Sequence, residues 1–326
     1  MKSLILLLTF GIIVFNAKAQ SPEMAKATVR YKFSHVRDTT AKDKPYTENM
    51  ILFLGQSSSA YKSYDRKLQD ALMRKQVETQ MAEQKGSGNV NIKITGGKPT
   101  TRSEIYQFAA TNKLVRKENL ITPYLIEEQM PVINWKVTAD TATFGTLLCQ
   151  KATGHFKGRD YTAWFCPDLP FRAGPWKLNG LPGLIVEAYD TNKEVEFKFD
   201  GMEQVIASDK PAVAATTPPP SPEGTVIRFG GPDDNADPNL IALPANAVKA
   251  SVKEFDKLQA AMRKDPQAFM AAMGGGAGNM RGPAGGGPGG PGGPGGGGPG
   301  GPIRSVMVTN GTPAVINNPL ELPEKK

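Results

Sequence analysis

Most of the chain alternates between apolar and polar residues with the period of a β-strand. Residues 27–35 alternate strictly, residues 49–55 are a more apolar run, and a polar turn at 38–44 separates them. We therefore expect these two segments to pair as a β-hairpin. Further short strands are predicted at 90–95, 105–108, 113–119, 124–128, 132–137 and 195–199. This close spacing favours a mainly β fold (α+β), with a curved antiparallel sheet or half-open barrel, over βαβ units.

Two segments have helical spacing and are predicted to be accessory helices against or beside the sheet. Residues 63–84 place Leu68, Leu72, Val77 and Met81 on one side of a helix, and Ser57–Ser59 is expected to form a loop and cap before it. Residues 247–273 repeat apolar positions at helical spacing, with an interruption at Pro266.

The first nineteen residues have the pattern of a secretory signal. Lys2 precedes an apolar stretch, and residues 17–19 are a small-x-small cleavage site. The apolar run is shorter than the ~20 residues that a spanning helix needs. We therefore expect export to the periplasm or secretion, association with the outer membrane, and no membrane span after signal removal.

The remaining chain divides by composition. Residues 20–210 are predicted to be a β-rich core that carries the 63–84 helix as an insertion, and residues 211–225 a Pro-rich connection. A helical segment is expected at 226–273, and terminal strands that return to the core at 303–326. Between them, 274–302 is a low-complexity insertion: eighteen of the 35 glycines lie within 274–301, which indicates a flexible spacer and not part of a core.

Charge and composition exclude several functional classes. The net charge is +8, but basic residues are interspersed with acidic ones and form no stripe with aromatic residues, so we expect no nucleic-acid partner. Two cysteines and two histidines are too few for a multi-disulfide scaffold or a Cys/His zinc protein. No cofactor is expected.

Cys149 and Cys166 flank a predicted hairpin. A two-residue turn at Lys157–Gly158 pairs Phe156 with Arg159, and the same register sets Cys149 opposite Cys166. In an oxidising compartment such a pair favours a structural disulfide. Two unpaired buried thiols and a redox couple are the other interpretations; the second is disfavoured because redox pairs usually have C-x-x-C spacing.

One motif set resembles a known family. Residues 180–185 read Gly-Leu-Pro-Gly-Leu-Ile, and the chain is similar here to the GLPGLI (Porph_ging) family of exported Bacteroidota proteins. Similar elements occur on both sides, at 133–137, 149–153, 158–161, 163–165 and 317–322. The 274–301 insertion and the 63–84 helix depart from the family pattern. The resemblance implies a cellular location and a fold but no reaction, because the family has no established activity.

The GLPGLI segment admits two interpretations. In one, a shared surface for a ligand or partner is formed by Trp164, Trp176, Gly180, Leu181, Pro182 and Gly183. In the other, which is favoured, the glycines let the chain cross the sheet closely while the tryptophans fill the core.

No catalytic set stands out. Ser59 and Lys62 match S-x-x-K without its companion motifs, and His35 and His155 are far apart in sequence. The acid pairs Glu127–Glu128 and Asp233–Asp234 are interpreted as solvated turns. Met262, Met270, Met273 and Met280 gather near the insertion and are weak candidates for a soft-metal site such as Cu(I).

We therefore expect a non-enzymatic envelope protein that binds a ligand or partner: an outer-membrane protein, a peptide or a lipid. A role as an accessory of outer-membrane, TonB-dependent systems is what the family resemblance implies. The alternatives are a hydrolase with an unrecognised site and a structural or copper-binding protein.

Overall fold

The structure, a computed structural model, describes residues 22–84, 90–94, 97–205, 237–274, 303–308 and 316–324. The predicted signal (1–19), the Pro-rich connection (211–225), Asp233–Asp234, residues 275–302 of the insertion and Met280 lie outside the described residues.

Sixteen strands are described, numbered in chain order. They are β1 Glu23–Met24, β2 Ala27–His35, β3 Tyr46–Leu54, β4 Ser58–Ser63, β5 Val90–Ile94, β6 Glu104–Phe108, β7 Lys113–Asn119, β8 Pro123–Gln129, β9 Lys136–Phe144, β10 Leu147–Phe156, β11 Arg159–Cys166, β12 Leu184–Asp190, β13 Val195–Gln204, β14 Leu240–Ile241, β15 Val248–Ala250 and β16 Ile303–Val308. The helices are α1 Tyr64–Glu83, α2 Val252–Lys264 and α3 Pro266–Gly274, and a 3₁₀ turn spans Ala109–Thr111.

Twelve strands form one large, curved, open sheet. Their order is β15-β8-β7-β6-β4-β3-β2-β13-β12-β11-β10-β9, and every pair is antiparallel except β15–β8. The prediction of a mainly β fold with a curved sheet is confirmed, and the sheet does not close into a barrel. The remaining strands form two small sheets, an antiparallel β1–β14 pair and a parallel β16–β5 pair.

The sheet curves around a core on its inner face. One apolar cluster includes Leu114 from β7 and Phe156 from β10, although eight positions in the strand order separate these two strands. Strict alternation supplies this core: on β2, Val29 and Tyr31 are fully buried, while Arg30 between them faces outward. A second cluster, on the outer face of the β3–β8 half, is covered by β14 through Ile241.

The helices begin at clear capping residues. Ser63 caps α1 by accepting a hydrogen bond from the Arg66 amide, and Ser251 and Glu254 form a capping box on α2. Pro266, which cannot continue α2 but suits a first helical turn, begins α3, so three helices replace the predicted two.

Three local predictions were wrong. Ser58 and Ser59 lie in strand β4, whose cross-strand partners on β3 and β6 override the turn preference of serine. Residues 132–135 are irregular, and Asp140 lies within β9, an exposed edge strand where polar side chains face solvent. In the C-terminal region, β16 pairs with β5 and 316–324 contains no strand, although Leu320 of this segment packs against the inner core.

The β10–β11 hairpin has the predicted register. Phe156 pairs with Arg159, Lys151 with Trp164 and Thr153 with Thr162. Cys149 and Cys166 form a disulfide, as predicted, across a separation of 17 residues. At the turn, Gly158 has φ +70°, and a Cβ there would lie 2.8 Å from the Pro323 carbonyl oxygen, so glycine admits both the turn and the C-terminal segment.

Candidate functional site

The connection between β11 and β12, residues 167–183, lies across the inner face of the sheet; we call it the arm. Trp176, Leu178 and Leu181 of the arm are buried in the inner core. The Trp176 ring stacks on Phe197 with a centroid distance of 6.5 Å and lies 5.5 Å from Phe156. The GLPGLI segment is therefore held on the sheet by apolar burial.

Polar contacts from several parts of the chain fix the backbone of the arm. Gln107 Nε2 donates to the Trp176 carbonyl oxygen at 3.1 Å, and Trp135 Nε1 donates to the Asn179 carbonyl oxygen at 2.7 Å. The ammonium group of Lys177, 7% exposed, lies 2.9 Å from both Glu128 and Glu321. These contacts satisfy polar groups that would otherwise be buried without partners.

Gly183 lets the arm meet the sheet. Its φ is +151°, and a Cβ there would lie 2.3 Å from the Cys166 carbonyl oxygen, closer than any side chain permits. The favoured interpretation of this glycine, close passage of the chain over the sheet, is what the structure shows at this position.

A cleft of about 340 Å³ opens where the arm passes the ends of two hairpins; we call it the arm cleft. Its wall and floor residues come from the β3–β4 turn, the β6–β7 turn, the end of β8 and the arm. They are Leu54, Gly55, Gln56, Ser57, Ser58, Ser59, Gln107, Ala109, Asn112, Met130, Pro170, Phe171, Arg172, Ala173, Asn179 and Gly180.

The floor of the arm cleft carries unused hydrogen-bonding groups. Ser59 and Gln107 are cross-strand partners on β4 and β6, so their side chains lie side by side on the inner face. Each residue is only 4% exposed. Among the described residues, neither the Ser59 hydroxyl nor the Gln107 side-chain oxygen has a hydrogen-bond partner. A polar ligand in the cleft can therefore form hydrogen bonds with these two atoms.

The rim carries one positive charge. Arg172 is exposed and is the single charged residue among the described residues that line the cleft. Within the described part of the chain, no carboxylate pairs with its guanidinium group. The cleft is therefore a neutral, amide- and hydroxyl-lined space with a cation at its edge.

The structure does not bring the six predicted surface residues together. Gly180 lines the arm cleft and is exposed, as is Pro182, whereas Trp176, Leu181 and Gly183 are buried where the arm meets the sheet. Trp164 is half-buried on β11, where strand alternation turns it away from the buried Ala163 and Phe165, and it packs on Phe144 at 5.9 Å.

The S-x-x-K residues lie on opposite faces of β4. Ser59 faces the arm cleft, while Lys62 lies on the outer face with its Nζ 3.3 Å from Glu104. Burial alone would raise the pKa of Glu104, but Lys62 and Lys117 lower it to about 2. The arrangement therefore makes Lys62 a partner of Glu104 and not of Ser59.

The two histidines have opposite environments. Burial, aided by Arg37 and Arg159, lowers the pKa of His35 to about 4, and its Nε2 has no hydrogen-bond partner in the described part of the chain. His155 is exposed; hydrogen bonds to Asp160 (2.6 Å) and Glu324 (2.7 Å) raise its pKa.

The other candidates lie outside the arm cleft. Glu127 pairs with Lys113, and Glu128 with Arg116 and Lys177, so these acids are held in ion pairs on β8 and are not a solvated turn. Met262 and Met270 lie on separate helices, α2 and α3. No group of three or more His, Cys, Asp or Glu side chains in the described ranges is placed to share a metal ion.

Sequence reasoning missed Gln107, Arg172 and Asn179 because they come from segments that are distant along the chain. The signal that could have found Gln107 is the pairing of β4 with β6, which places a polar pair, Ser59 and Gln107, among apolar neighbours.

Among the helices that the structure describes, none has the length and apolar character of a membrane-spanning helix.

A comparison with known families supports part of the motif set. A family model described as "Protein of unknown function (Porph_ging)" matches residues 155–187, which confirms the resemblance from the β10–β11 turn through the GLPGLI segment. No curated protein matches the chain in sequence.

Two solved structures of PNGF-II, in the P21 and C2 space groups, are similar to the chain at 12% and 11% identity, with TM-scores of 0.45 and 0.43. The matches cover 72% and 71% of this chain but 32% of each PNGF-II chain, so the chain spans about a third of the structures that it matches.

Proposed function

We propose that this chain, whose residues 155–187 match the Porph_ging family, is an exported binding protein of the cell envelope that takes up a ligand or partner segment in the arm cleft. One observation carries the proposal: the buried floor residues Ser59 and Gln107 present hydrogen-bonding atoms that no described residue uses. A ligand that enters the cleft can satisfy them.

The walls of the cleft support this role because they are held in place before any ligand arrives. The floor belongs to paired strands, and the arm is anchored by Trp176 in the core and by the Gln107 and Trp135 hydrogen bonds. A preformed site loses little conformational entropy on binding, so more of the contact energy contributes to affinity. The volume, about 340 Å³, lies at the small end of the ~300–1,000 Å³ typical of ligand pockets.

Two features support the proposed location in the cell envelope. Residues 1–19 have the pattern of a secretory signal. The Cys149–Cys166 disulfide suits the oxidising conditions of the periplasm or the exterior, since such bonds are rare in the cytosol. A working partnership with outer-membrane, TonB-dependent systems belongs to the proposal and rests on the family resemblance.

Two neighbouring alanines allow a matched test. Ala109 and Ala110 are consecutive, exposed residues of one 3₁₀ turn, but only Ala109 lines the cleft. Ala109→Trp should fill the cleft, whereas Ala110→Trp adds the same bulk outside it. Full-length tagged protein is incubated with detergent-solubilised envelopes, and the retained material is quantified.

We expect wild type and Ala110→Trp to retain the same envelope component and Ala109→Trp to retain at least about tenfold less, the effect of losing ~1.4 kcal/mol of binding energy. Equal retention by both tryptophan variants would show that binding occurs elsewhere. No retention by wild type would contradict a binding role in the envelope.

A further inference from the structure

We infer that the arm cleft recognises the C-terminal end of a peptide: a free α-carboxylate, the last amide group and an apolar side chain. This inference rests on the proposed function and adds the chemical class of the ligand. It is drawn from three sets of groups that the cleft presents together: a cation, unused amide and hydroxyl groups, and apolar surface.

The carboxylate is matched by Arg172. The guanidinium group is exposed at the rim, has no carboxylate partner among the described residues, and is the single charge of the described lining. A guanidinium group binds a carboxylate through two parallel hydrogen bonds, which gives both attraction and orientation. No acidic residue is among the described residues that line the cleft. The Glu23 carboxylate lies beside them and accepts hydrogen bonds from the Gln56 amide and from the Ser57 and Ser58 hydroxyls, so Arg172 is the charge that the described lining itself presents to an anion.

The amide group is matched by the floor. The Nε2 of Gln107 already donates to the Trp176 carbonyl oxygen, which leaves the side-chain oxygen of Gln107 to accept a hydrogen bond from a ligand N–H. Next to it, the Ser59 hydroxyl can donate to a ligand carbonyl oxygen. The Asn179 side chain also donates from Nδ2, to the Lys177 carbonyl oxygen, so its oxygen is a second acceptor in the lining. An amide is the group that needs both an acceptor and a donor at neighbouring positions.

The apolar side chain is matched by Leu54, Met130 and Phe171, which line the same cleft. Methionine and aromatic side chains form adaptable apolar surfaces that accept different aliphatic groups. The volume of about 340 Å³ accommodates the end of a peptide and not a long extended stretch. Recognition of a chain end is therefore favoured over recognition of an internal segment.

The test uses full-length protein and isothermal titration calorimetry with three probes. The first is the tripeptide N-acetyl-Ala-Ala-Leu with a free carboxylate, the second is the same tripeptide with a C-terminal amide, and the third is N-acetyl-leucine. The protein variants are Arg172→Gln and, as a matched control, Arg102→Gln, which removes an exposed arginine that does not line the cleft. Both side chains are exposed, so neither change should disturb folding.

We expect wild type and Arg102→Gln to bind the free acid about tenfold or more tightly than the amide, because a charge-assisted hydrogen bond is lost in the amide. Arg172→Gln should bind the acid and the amide equally weakly. N-acetyl-leucine keeps the carboxylate, the last amide and the apolar side chain, but it lacks the preceding amide, whose N–H can donate to the Asn179 side-chain oxygen; it should therefore bind more weakly than the tripeptide acid.

Three results would overturn the inference, each in a different way. Equal affinity of wild type for acid and amide would remove the carboxylate from the recognised chemistry. Equal affinity for N-acetyl-leucine and the tripeptide acid would assign the site to a small N-acyl amino acid. If no probe binds but Ala109→Trp still retains less envelope material than Ala110→Trp, recognition of a peptide end is rejected and the proposed binding function stands. If no probe binds and the two variants retain equal amounts, both are rejected.

Discussion

Replacement of Arg159 by methionine should be among the most destabilising single changes in the described part of the chain. The guanidinium group is 2% exposed and bonds Asp190 (2.6 Å), whose side chain is 3% exposed. It also donates to the Asn318 side-chain oxygen at 2.7 Å and to the Pro319 and Leu320 carbonyl oxygens at 2.9 and 3.1 Å. One side chain thus joins β11, the end of β12 and the C-terminal segment.

The magnitude follows from what the substitution leaves behind. Methionine fills much of the space but leaves the Asp190 carboxylate buried without its cation, and breaking a buried ion pair in this way costs about 3–5 kcal/mol. The Asp190 Oδ1 atom keeps its hydrogen bonds from the Glu194 and Val195 amides, which limits the loss. We therefore expect Arg159→Met to lower the free energy of unfolding by ~3–5 kcal/mol.

Urea unfolding followed by tryptophan fluorescence measures this value. The double variant Arg159→Met/Asp190→Asn should be more stable than Arg159→Met alone, because residue 190 no longer carries an uncompensated buried charge. Arg30→Met is the matched control: it breaks the Arg30–Glu203 pair, whose side chains are 38% and 64% exposed, and should cost less than about 1 kcal/mol. Equal costs for Arg159→Met and Arg30→Met, or no rescue by the second substitution, would refute the reasoning.

Three further predictions concern stability. Reduction of the Cys149–Cys166 disulfide should lower the free energy of unfolding by ~3 kcal/mol in the chain-entropy model; unchanged urea midpoints with and without reductant would contradict this. Trp176→Ala should cost ~3–5 kcal/mol by opening a cavity in the inner core, and thermal unfolding that scarcely shifts would argue against a core role. The raised pKa of His155 means that its bonds to carboxylates such as Glu324 stabilise the fold fully below about pH 6.5. This stabilisation is lost as the pH rises through the raised pKa. The free energy of unfolding, measured between about pH 5.5 and 8.5, should show the loss in wild type but not in His155→Gln.

The β10–β11 hairpin shows how much of the fold could be predicted from the sequence. Strand alternation and a Gly158 turn fix the register, and that register alone brings the two cysteines together. Local rules suffice because partners in a hairpin are neighbours along the chain. The same holds for the β2–β3 hairpin and for the presence of helix α1. Of the four apolar residues predicted on one side of α1, however, only Val77 is buried, while Leu68, Leu72 and Met81 are exposed.

Elsewhere, tertiary partners override local preference. Ser58 and Ser59 look like turn residues, yet they lie in a strand because β3 and β6 flank it. The arm cleft was not predictable for the same reason: Ser59 and Gln107 become neighbours only when β4 pairs with β6, and Arg172 joins them only when the arm crosses the sheet. The spacing of these residues along the chain does not indicate that they line one cleft.

Photo-crosslinking from two positions shows directly where ligands bind. A photoreactive residue replaces Ala110, which is exposed next to the lining residue Ala109 and leaves the cleft open, or Trp164, half-buried on β11 outside the cleft lining, in full-length protein exposed to solubilised envelopes. Binding in the arm cleft predicts a specific crosslinked product from position 110 and none from position 164. A product from position 164 alone would contradict it and would move the binding surface away from the arm cleft.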